Sequence, residues 1–234
     1  MEFHPDKCSL LQITNRLHPV NFTYNIHNTP LQATKSAKYL GVTIDDSLSW
    51  DPQIKSTFQK ASFTLSFLER NLQKCPSHIK AQCYNSLVRP ILDYGSCVWD
   101  PHLVTQIQKL EKIHKRAARF VTGNHTFEHG NTKLNMDTLG WHPLQERRAK
   151  LKLTLFYKIL NNLCLTDKSD LIPTNSPRRP FSFFVPRSMK DQHLYSFFPS
   201  TIRLWNPLPL PFKNSSSLPE FKKAVESITL TNNY

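Results

Sequence analysis

The sequence predicts an α+β fold that is mostly helical, and three observations support this prediction. Short apolar runs separated by Asn, Pro and Thr turns fill residues 1–50, as in a small antiparallel β region. Apolar residues at steps of three and four then recur over residues 51–164, which is typical of a helical bundle. Proline and arginine become frequent afterwards, so we expect an irregular segment over 165–216 and a short terminal helix within 217–234.

Three strands are predicted in the first region: Ser9–Thr14 (SLLQIT), Phe22–Ile26 (FTYNI) and Lys38–Ile44 (KYLGVTI). Asp45 and Asp46 follow the last of them. A polymerase carboxylate pair lies at the tip of a strand hairpin, with apolar strand residues on both sides, because it must hold Mg²⁺ against the substrate. Here polar turn residues follow the pair. We therefore predict a solvated turn at this position.

The next region begins with a long helix. Asp51 is a capping residue and Pro52 occupies the first helical position. The apolar face of this helix contains Ile54, Phe58, Ala61, Leu65, Leu68 and Leu72. A second helix is predicted over Ser77–Val88, where the pair Arg89 and Pro90 bends or ends it.

A third helix, His102–Val121, stops at Gly123 and has two distinct faces. Its predicted apolar stripe contains Leu103, Ile107, Leu110, Ile113, Ala117 and Phe120. Its opposite face is predicted to show basic side chains to solvent along its whole length: Lys109, Lys112, Arg116 and Arg119. Such a row suits the phosphate backbone of a nucleic-acid duplex, and an ordinary solvated surface is the alternative.

A fourth helix is predicted over Leu144–Asn162, with a basic first half and an apolar second half. The basic residues are Arg147, Arg148, Lys150 and Lys152. Cations in the first turn oppose the helix dipole, so a phosphate partner would explain them. A solvated face is the alternative for any single residue.

The net charge indicates the class of partner. The chain has 30 Lys and Arg against 17 Asp and Glu, which gives +13. An excess of this size favours a polyanion, and nucleic acid is the commonest one. A membrane partner is not expected, because we find no lipidation motif and no long apolar stretch. The N-terminus lacks the profile of a signal peptide, so we expect a cytoplasmic or nuclear protein that is not secreted, with its five cysteines reduced.

Other patterns predict no active site. Residues His125–His129 fit the H-x-x-E-H pattern of some zinc peptidases, but Gly-Asn pairs on both sides indicate a loop, whereas the chemistry requires a helix. The spacing supports no Ser/His/Asp or Cys/His arrangement, and the five glycines are too scattered for a phosphate-binding loop. We therefore predict no catalytic residue, no metal site and no cofactor.

The late part of the chain interleaves aromatic residues with arginines. The stretch Ser196–Pro209 (SFFPSTIRLWNPLP) contains aromatic side chains that need a surface to pack on. A short helix from Leu218 to about Ile228 closes the chain.

Several blocks resemble, in collinear order, the C-terminal part of reverse transcriptases from non-LTR (LINE-type) retrotransposons, notably jockey-like ones. The blocks are MEFHPDKCSLLQIT, KYLGVTIDDSLSW, FLERNLQKCP, YNSLVRPILDYGSCVWDP, IQKLEKIHKRAARFVTG and the late SFFPSTIRLWNPLP. The resemblance covers nearly the whole chain. It implies a palm remnant with a primer-grip hairpin over residues 1–50 and a thumb-like helical domain over residues 51–164.

The resemblance also implies roles for individual residues. Lys7, in PDKC, matches a lysine that assists the leaving pyrophosphate, although the family more often has Asn where His4 stands. Leu40 and Gly41 match primer-grip positions that approach the primer strand, where glycine permits close backbone approach. The helices after Trp50 match the thumb, which holds the template–primer duplex by shape and phosphate contacts. The predicted nucleic-acid-binding residues are Lys7, Leu40, Gly41, Lys109, Lys112, Arg116, Arg119, Arg147 and Arg148.

In that family the catalytic aspartates lie upstream of the block that matches PDKC, and this sequence begins almost inside that block. The resemblance therefore implies a truncated RNA-directed DNA polymerase without the carboxylates that hold two Mg²⁺ ions. We expect no DNA synthesis by the chain alone, with Mg²⁺ required only in the full-length parent. The expected partner is RNA or an RNA–DNA duplex, and the missing palm and fingers region is a further candidate.

Two other functions stay open at this point. A decayed retrotransposon reading frame would have no biochemical role, and its product would expose open strand edges and an apolar face containing Leu11, Ile13, Phe22 and Tyr24. A co-opted interaction module would instead use the SFFPSTIRLWNPLP tail to dock another protein.

Overall fold

The structure is a computed structural model that describes residues 4–14, 16, 18, 20, 22–124, 130–169, 171–174, 177 and 180–230. The chain forms two compact units, Met1–Gln59 and Lys60–Tyr234. The first long helix supplies residues to both units.

The described part of the first unit contains a 3₁₀ turn, Pro5–Lys7, and six short strands. The strands are β1 (Ser9–Leu11), β2 (Asn25–Ile26), β3 (Thr29–Pro30), β4 (Gln32–Thr34), β5 (Ser36–Tyr39) and β6 (Val42–Asp45). The β2–β3 and β5–β6 pairs are antiparallel, as predicted for this region. The β1–β4 pair is parallel, which the sequence analysis missed. Residues 12–31 provide the long connection that a parallel pair requires.

The remaining elements are helical, so the predicted fold class, α+β and mostly helical, is confirmed. The helices are α1 (Asp51–Asn71), α2 (Ser77–Cys83), α3 (Arg89–Asp93), α4 (Ser96–Trp99), α5 (Val104–Thr122), α6 (Asn131–Thr138), α7 (Leu144–Leu160), α8 (Asp191–Leu194), α9 (Phe197–Trp205), α10 (Leu210–Lys213) and α11 (Leu218–Glu226). Within the described residues, none of them is long and apolar enough to cross a bilayer.

Two helix boundaries differ from the predicted ones. The second predicted helix continues beyond Val88, because α2 passes through a π-helical turn directly into α3. Pro90 is the second residue of α3 and directly follows the π-helical turn Tyr84–Val88 and Arg89. The third predicted helix begins at Val104 and ends as expected, with Gly123 in the left-handed region at φ 70° and its N–H donating to the Arg119 carbonyl.

The last third of the chain packs on α7. A buried cluster combines side chains of α7, α9, α11 and the loop after α9: Leu153, Phe156, Tyr157, Ile202, Trp205, Leu208, Phe221 and Val225. The segment 165–216, predicted to be irregular, therefore contains the ordered helix α9, because burial against α7 stabilises it. The prediction that the aromatics of Ser196–Pro209 pack on a surface is confirmed by Trp205, which is 1% exposed.

Candidate nucleic-acid interface

The β5–β6 hairpin has an apolar, exposed tip. Leu40 and Gly41 form its turn with φ values of 45° and 84°, the pattern of a type I′ hairpin turn. A positive φ is unfavourable for leucine, so this turn is strained. The side chains of Leu40 and Tyr39 are 75% and 68% exposed. Strained residues and exposed apolar side chains are typical of contact sites.

Lys7 also lies in the first unit, at the end of the 3₁₀ turn, with an exposed side chain. Its backbone N–H donates to the His4 carbonyl at 3.0 Å. The ammonium group is therefore presented to solvent from a short closed turn.

The aspartate pair shapes the chain between β6 and α1. Oδ1 of Asp45 accepts a hydrogen bond from the Ser49 N–H at 2.6 Å and another from the Ser47 hydroxyl at 3.2 Å. A carboxylate that binds the backbone a few residues further on is typical of an aspartate-stabilised turn. The predicted turn is thus present, and Asp45 has a local structural partner.

The outer face of α5 shows lysines to solvent, as predicted. Lys112 is exposed, and Lys109 and Arg119 are partly exposed on the same side of the helix. Lys115 is also exposed on this side, although the sequence analysis did not include it. The opposite side is buried through Leu110, Ile113, Ala117, Phe120 and other residues. The two faces of α5 are therefore those that the periodicity predicts, except at Arg116 and at Leu103, which precedes the helix and is 47% exposed.

Arg116 is bound to α1 and does not project freely from the outer face. Its Nε donates to Oε1 of Glu69 at 2.9 Å, and Nη2 pairs with the other carboxylate oxygen. Nη2 also donates to the Ser66 hydroxyl at 2.9 Å, and Nη1 lies 3.5 Å from the Ser62 hydroxyl. A two-pronged arginine–carboxylate pair fixes orientation. Arg116 thus joins α5 to α1, which corrects its predicted role as a solvent-facing cation.

The part of α1 in the second unit presents aromatic and basic side chains. Phe63 and Phe67, one turn apart, are 73% and 51% exposed. Lys60 and Arg70 are exposed on the same arc of the helix, and neither pairs with a described acidic residue. Phe63 and Phe67 each follow a serine that contacts Arg116, so the aromatic strip of α1 adjoins the contact between α1 and α5.

Three of the four cations in the basic first half of α7 are buried, which corrects the predicted phosphate contact of Arg148, whereas the predicted contact of Arg147 stays a prediction. Arg148 is 1% exposed, and its Nε donates to Oδ1 of Asp100 at 2.7 Å. Lys152 is equally buried and contacts Oδ2 of the same carboxylate at 2.7 Å. Arg147 is about one-third exposed and pairs with Asp93 at 2.6 Å. Ion pairs within the protein thus explain why α7 has cations near its N-terminus, where the helix dipole disfavours them.

Lys150, which belongs to the same basic run, is buried as well. Its ammonium lies 2.9 Å from Glu146 and 3.5 Å from the Glu226 carboxylate. The sequence offers one signal for this pairing, since Glu146 and Lys150 are four residues apart on α7. The contacts to Asp93, Asp100 and Glu226 join positions 48 to 76 residues apart in the chain, and no local pattern marks them.

Two other predicted features can be placed. The five cysteines are not joined in disulfides. The H-x-x-E-H pattern at residues 125–129 lies outside the described residues. Within the described part of the chain, no group of three His, Cys, Asp or Glu side chains could hold a metal ion.

Comparison with known proteins gives one significant relative. The chain is 27% identical over 137 residues to a Drosophila melanogaster protein named "Probable RNA-directed DNA polymerase from transposon BS". The match covers 57% of this chain and 15% of that protein, so the chain spans only a small part of the relative. No protein-family model and no solved structure matches the chain significantly. The match supports a relationship to transposon reverse transcriptases.

Proposed function

We propose that the chain is the C-terminal part of a non-LTR, jockey-like reverse transcriptase and that its helical unit binds template–primer nucleic acid without sequence preference. The observation that carries the proposal is the presence of two exposed surfaces next to the Arg116 contact that joins α1 and α5. These are the lysines of α5, Lys112 and Lys115, and the strip of α1 that contains Phe63 and Phe67. We call this combined area the α1–α5 surface.

The chemistry of the α1–α5 surface suits a strand of RNA or DNA. Cations that follow a helix can contact successive phosphates, and each contact releases condensed counterions. Exposed aromatic rings beside cations offer stacking platforms for unpaired bases, independently of base identity. Arg116 contributes indirectly, because its pair with Glu69 holds the two helices together. A thumb-like role follows from this arrangement.

The proposal gives the first unit a role in contacting the primer. The tip residues Leu40 and Gly41 would approach the primer strand, and Lys7 would lie near the phosphates. The proposed activity is binding and not DNA synthesis, because the adjacent carboxylates of this unit support a turn: Asp45 is hydrogen-bonded to Ser49. Extension of a primer by the purified chain with Mg²⁺ would contradict this part of the proposal.

The binding experiment uses a charge reversal on α5. Lys112→Glu/Lys115→Glu should weaken binding of a labelled RNA–DNA duplex about tenfold at moderate salt, equally for unrelated sequences. The slope of log affinity against log salt should fall by about 1.5–2, because two phosphate contacts are lost. Lys158→Glu/Lys222→Glu carries the same charge change elsewhere on the unit and serves as the matched control. Equal loss in both double variants would show non-specific charge attraction and refute the assigned surface.

The aromatic strip is tested separately. Phe63→Ala/Phe67→Ala should weaken binding of single-stranded RNA by about 1–3 kcal/mol per lost stacking contact and leave the salt slope unchanged. These side chains are exposed, so the double variant should keep its melting temperature within a few degrees. Unchanged affinity for single strands would remove α1 from the proposed surface.

A further inference from the structure

The second unit contains a groove that the α1–α5 surface does not use. A cavity of about 420 Å³ lies between α7 and α11, and the turn between α3 and α4 completes its wall. Leu151 and Leu155 of α7 and Val225 of α11 provide apolar lining. A volume of this size is within the usual range of ligand sites. We call this site the α7–α11 groove.

The cations of the groove differ in their partners. Arg147 pairs with Asp93, and Lys150 is held between Glu146 and Glu226. Lys158 of α7 and Lys222 of α11 also line the groove. Neither forms an ion pair with another described residue. The groove therefore carries two uncompensated positive charges, one on each of its helices, beside an apolar floor.

This combination favours a peptide over a nucleic acid. Among the described residues that line the groove none is aromatic, so the groove has no platform for base stacking. An acidic segment with leucine-like side chains meets both requirements, since apolar anchors fit between helices and carboxylates match the free ammonium groups.

We propose that the α7–α11 groove docks an acidic, amphipathic segment of a partner protein. Apolar side chains of the segment lie on Leu151 and Leu155, and its carboxylates pair with Lys158 and Lys222. This site goes beyond the proposed binding of nucleic acid and does not depend on it, because the two surfaces share no residue.

The test uses the full chain and a labelled synthetic peptide of 16 residues. Its leucines are spaced by three and four, and glutamates flank them; a second peptide has lysines in place of the glutamates. Fluorescence anisotropy should show binding of the acidic peptide only. Lys158→Glu/Lys222→Glu and Leu155→Asp should each weaken that binding at least about tenfold. Lys112→Glu/Lys115→Glu, with the same charge change, should alter it less than about twofold.

Three results would overturn the proposal. One is equal affinity of the acidic peptide for the two double variants, and another is equal affinity for both peptides. The third is a loss of RNA binding in Lys158→Glu/Lys222→Glu that exceeds the loss in Lys112→Glu/Lys115→Glu, which would show a nucleic-acid site in the groove. If charge reversal unfolds the chain, Lys158→Gln/Lys222→Gln removes the charges without reversing them. This variant must still bind the acidic peptide more weakly than Lys112→Glu/Lys115→Glu does.

Discussion

At the scale of single residues, partners decide what a charged or titratable side chain can do. Arg116 and Arg148 both belong to basic runs, yet each is held by a carboxylate, Glu69 in one case and Asp100 in the other. Lys112 is exposed to solvent. A cation available for a ligand is therefore distinguished by its surroundings and not by its residue type.

The same principle applies to His114, which lies in an aromatic stack with Tyr84 and Trp141. Its Nδ1 is 2.6 Å from the Tyr84 hydroxyl, and Nε2 is 3.1 Å from the carbonyl of His142. Since the carbonyl can only accept, Nε2 carries the proton and Nδ1 accepts from the hydroxyl. Burial lowers the pKa of His114 to about 4, with Arg89 and Arg147 adding to the effect. Burial also raises the pKa of Tyr84, so both rings stay neutral at physiological pH.

This neutral pair predicts a loss of stability in acid. The unfolded chain takes up the His114 proton at its usual pKa near 6.5, whereas the folded chain does so only near pH 4. The contribution of His114 to the free energy of unfolding is therefore complete above pH 6.5. It falls by about 3 kcal/mol as the pH approaches 4. Urea unfolding at a series of pH values measures it. His114→Gln should flatten the curve between pH 6.5 and 4, and His78→Gln, an exposed site on α2, should not. Parallel curves for all three proteins would contradict the assignment.

At the scale of elements, the helices owe their order to long-range packing. The sequence Ser196–Pro209 contains prolines and would be marginal as an isolated helix, but α9 buries Ile202 and Trp205 against α7. The indole N–H of Trp205 donates to the Phe181 carbonyl at 2.8 Å, and its ring meets Phe156 at 5.2 Å. The tail is thus part of the core of the second unit.

Truncating the Trp205 side chain tests the packing of α9. Trp205→Ala should lower the free energy of unfolding by about 3–5 kcal/mol, because it leaves a cavity between α7, α9 and α11. Leu210→Ala, at a 44% exposed position on α10, is the matched control and should cost less than about 1 kcal/mol. Chemical denaturation measures both. Unchanged stability of Trp205→Ala would return the tail to the role of a free docking segment, the alternative that the sequence left open.

At the scale of the whole molecule, the two units differ in how much apolar surface they bury. The described sheets of the first unit are two-stranded. Of the four apolar side chains expected to be exposed, Ile13, Phe22 and Tyr24 are 50%, 66% and 51% accessible, and Leu11 is half-buried. In the second unit, α5 and α7 bury most of their apolar side chains. Two-stranded sheets are marginally stable by themselves.

This difference predicts unequal protection against hydrogen exchange. Backbone amides of β1 to β6 should exchange on the order of a thousandfold faster than those in the centres of α5 and α7, because local opening of the sheets exposes little apolar surface. Exchange followed by mass spectrometry on the full chain measures the contrast. The hairpin amides of Val42 and Tyr39 provide the most direct internal comparison with Leu110 and Leu153. Equal protection in both units would show that the first unit unfolds only with the second.

The sequence by itself determined the features that depend on neighbours along the chain. The helical period placed the buried and exposed faces of α5, Asp51 and Pro52 marked the start of α1, and Gly123 marked the end of α5. The turn character of Asp45 followed from the polar residues after it. These are local effects of backbone geometry and spacing, and a single segment contains all the information they need.

Only the tertiary structure decided which of the basic side chains remain available to a ligand. The partners of Arg116 and Arg148 lie 47 and 48 residues away, and burial removes Arg148, Lys150 and Lys152 from solvent. The polar positions Ser62, Ser66 and Glu69 share one face of α1, but their spacing did not show what would meet that face. The physical reason is that the free energy of a cation depends on the counter-charges and solvent around it, and those are set by packing between distant segments.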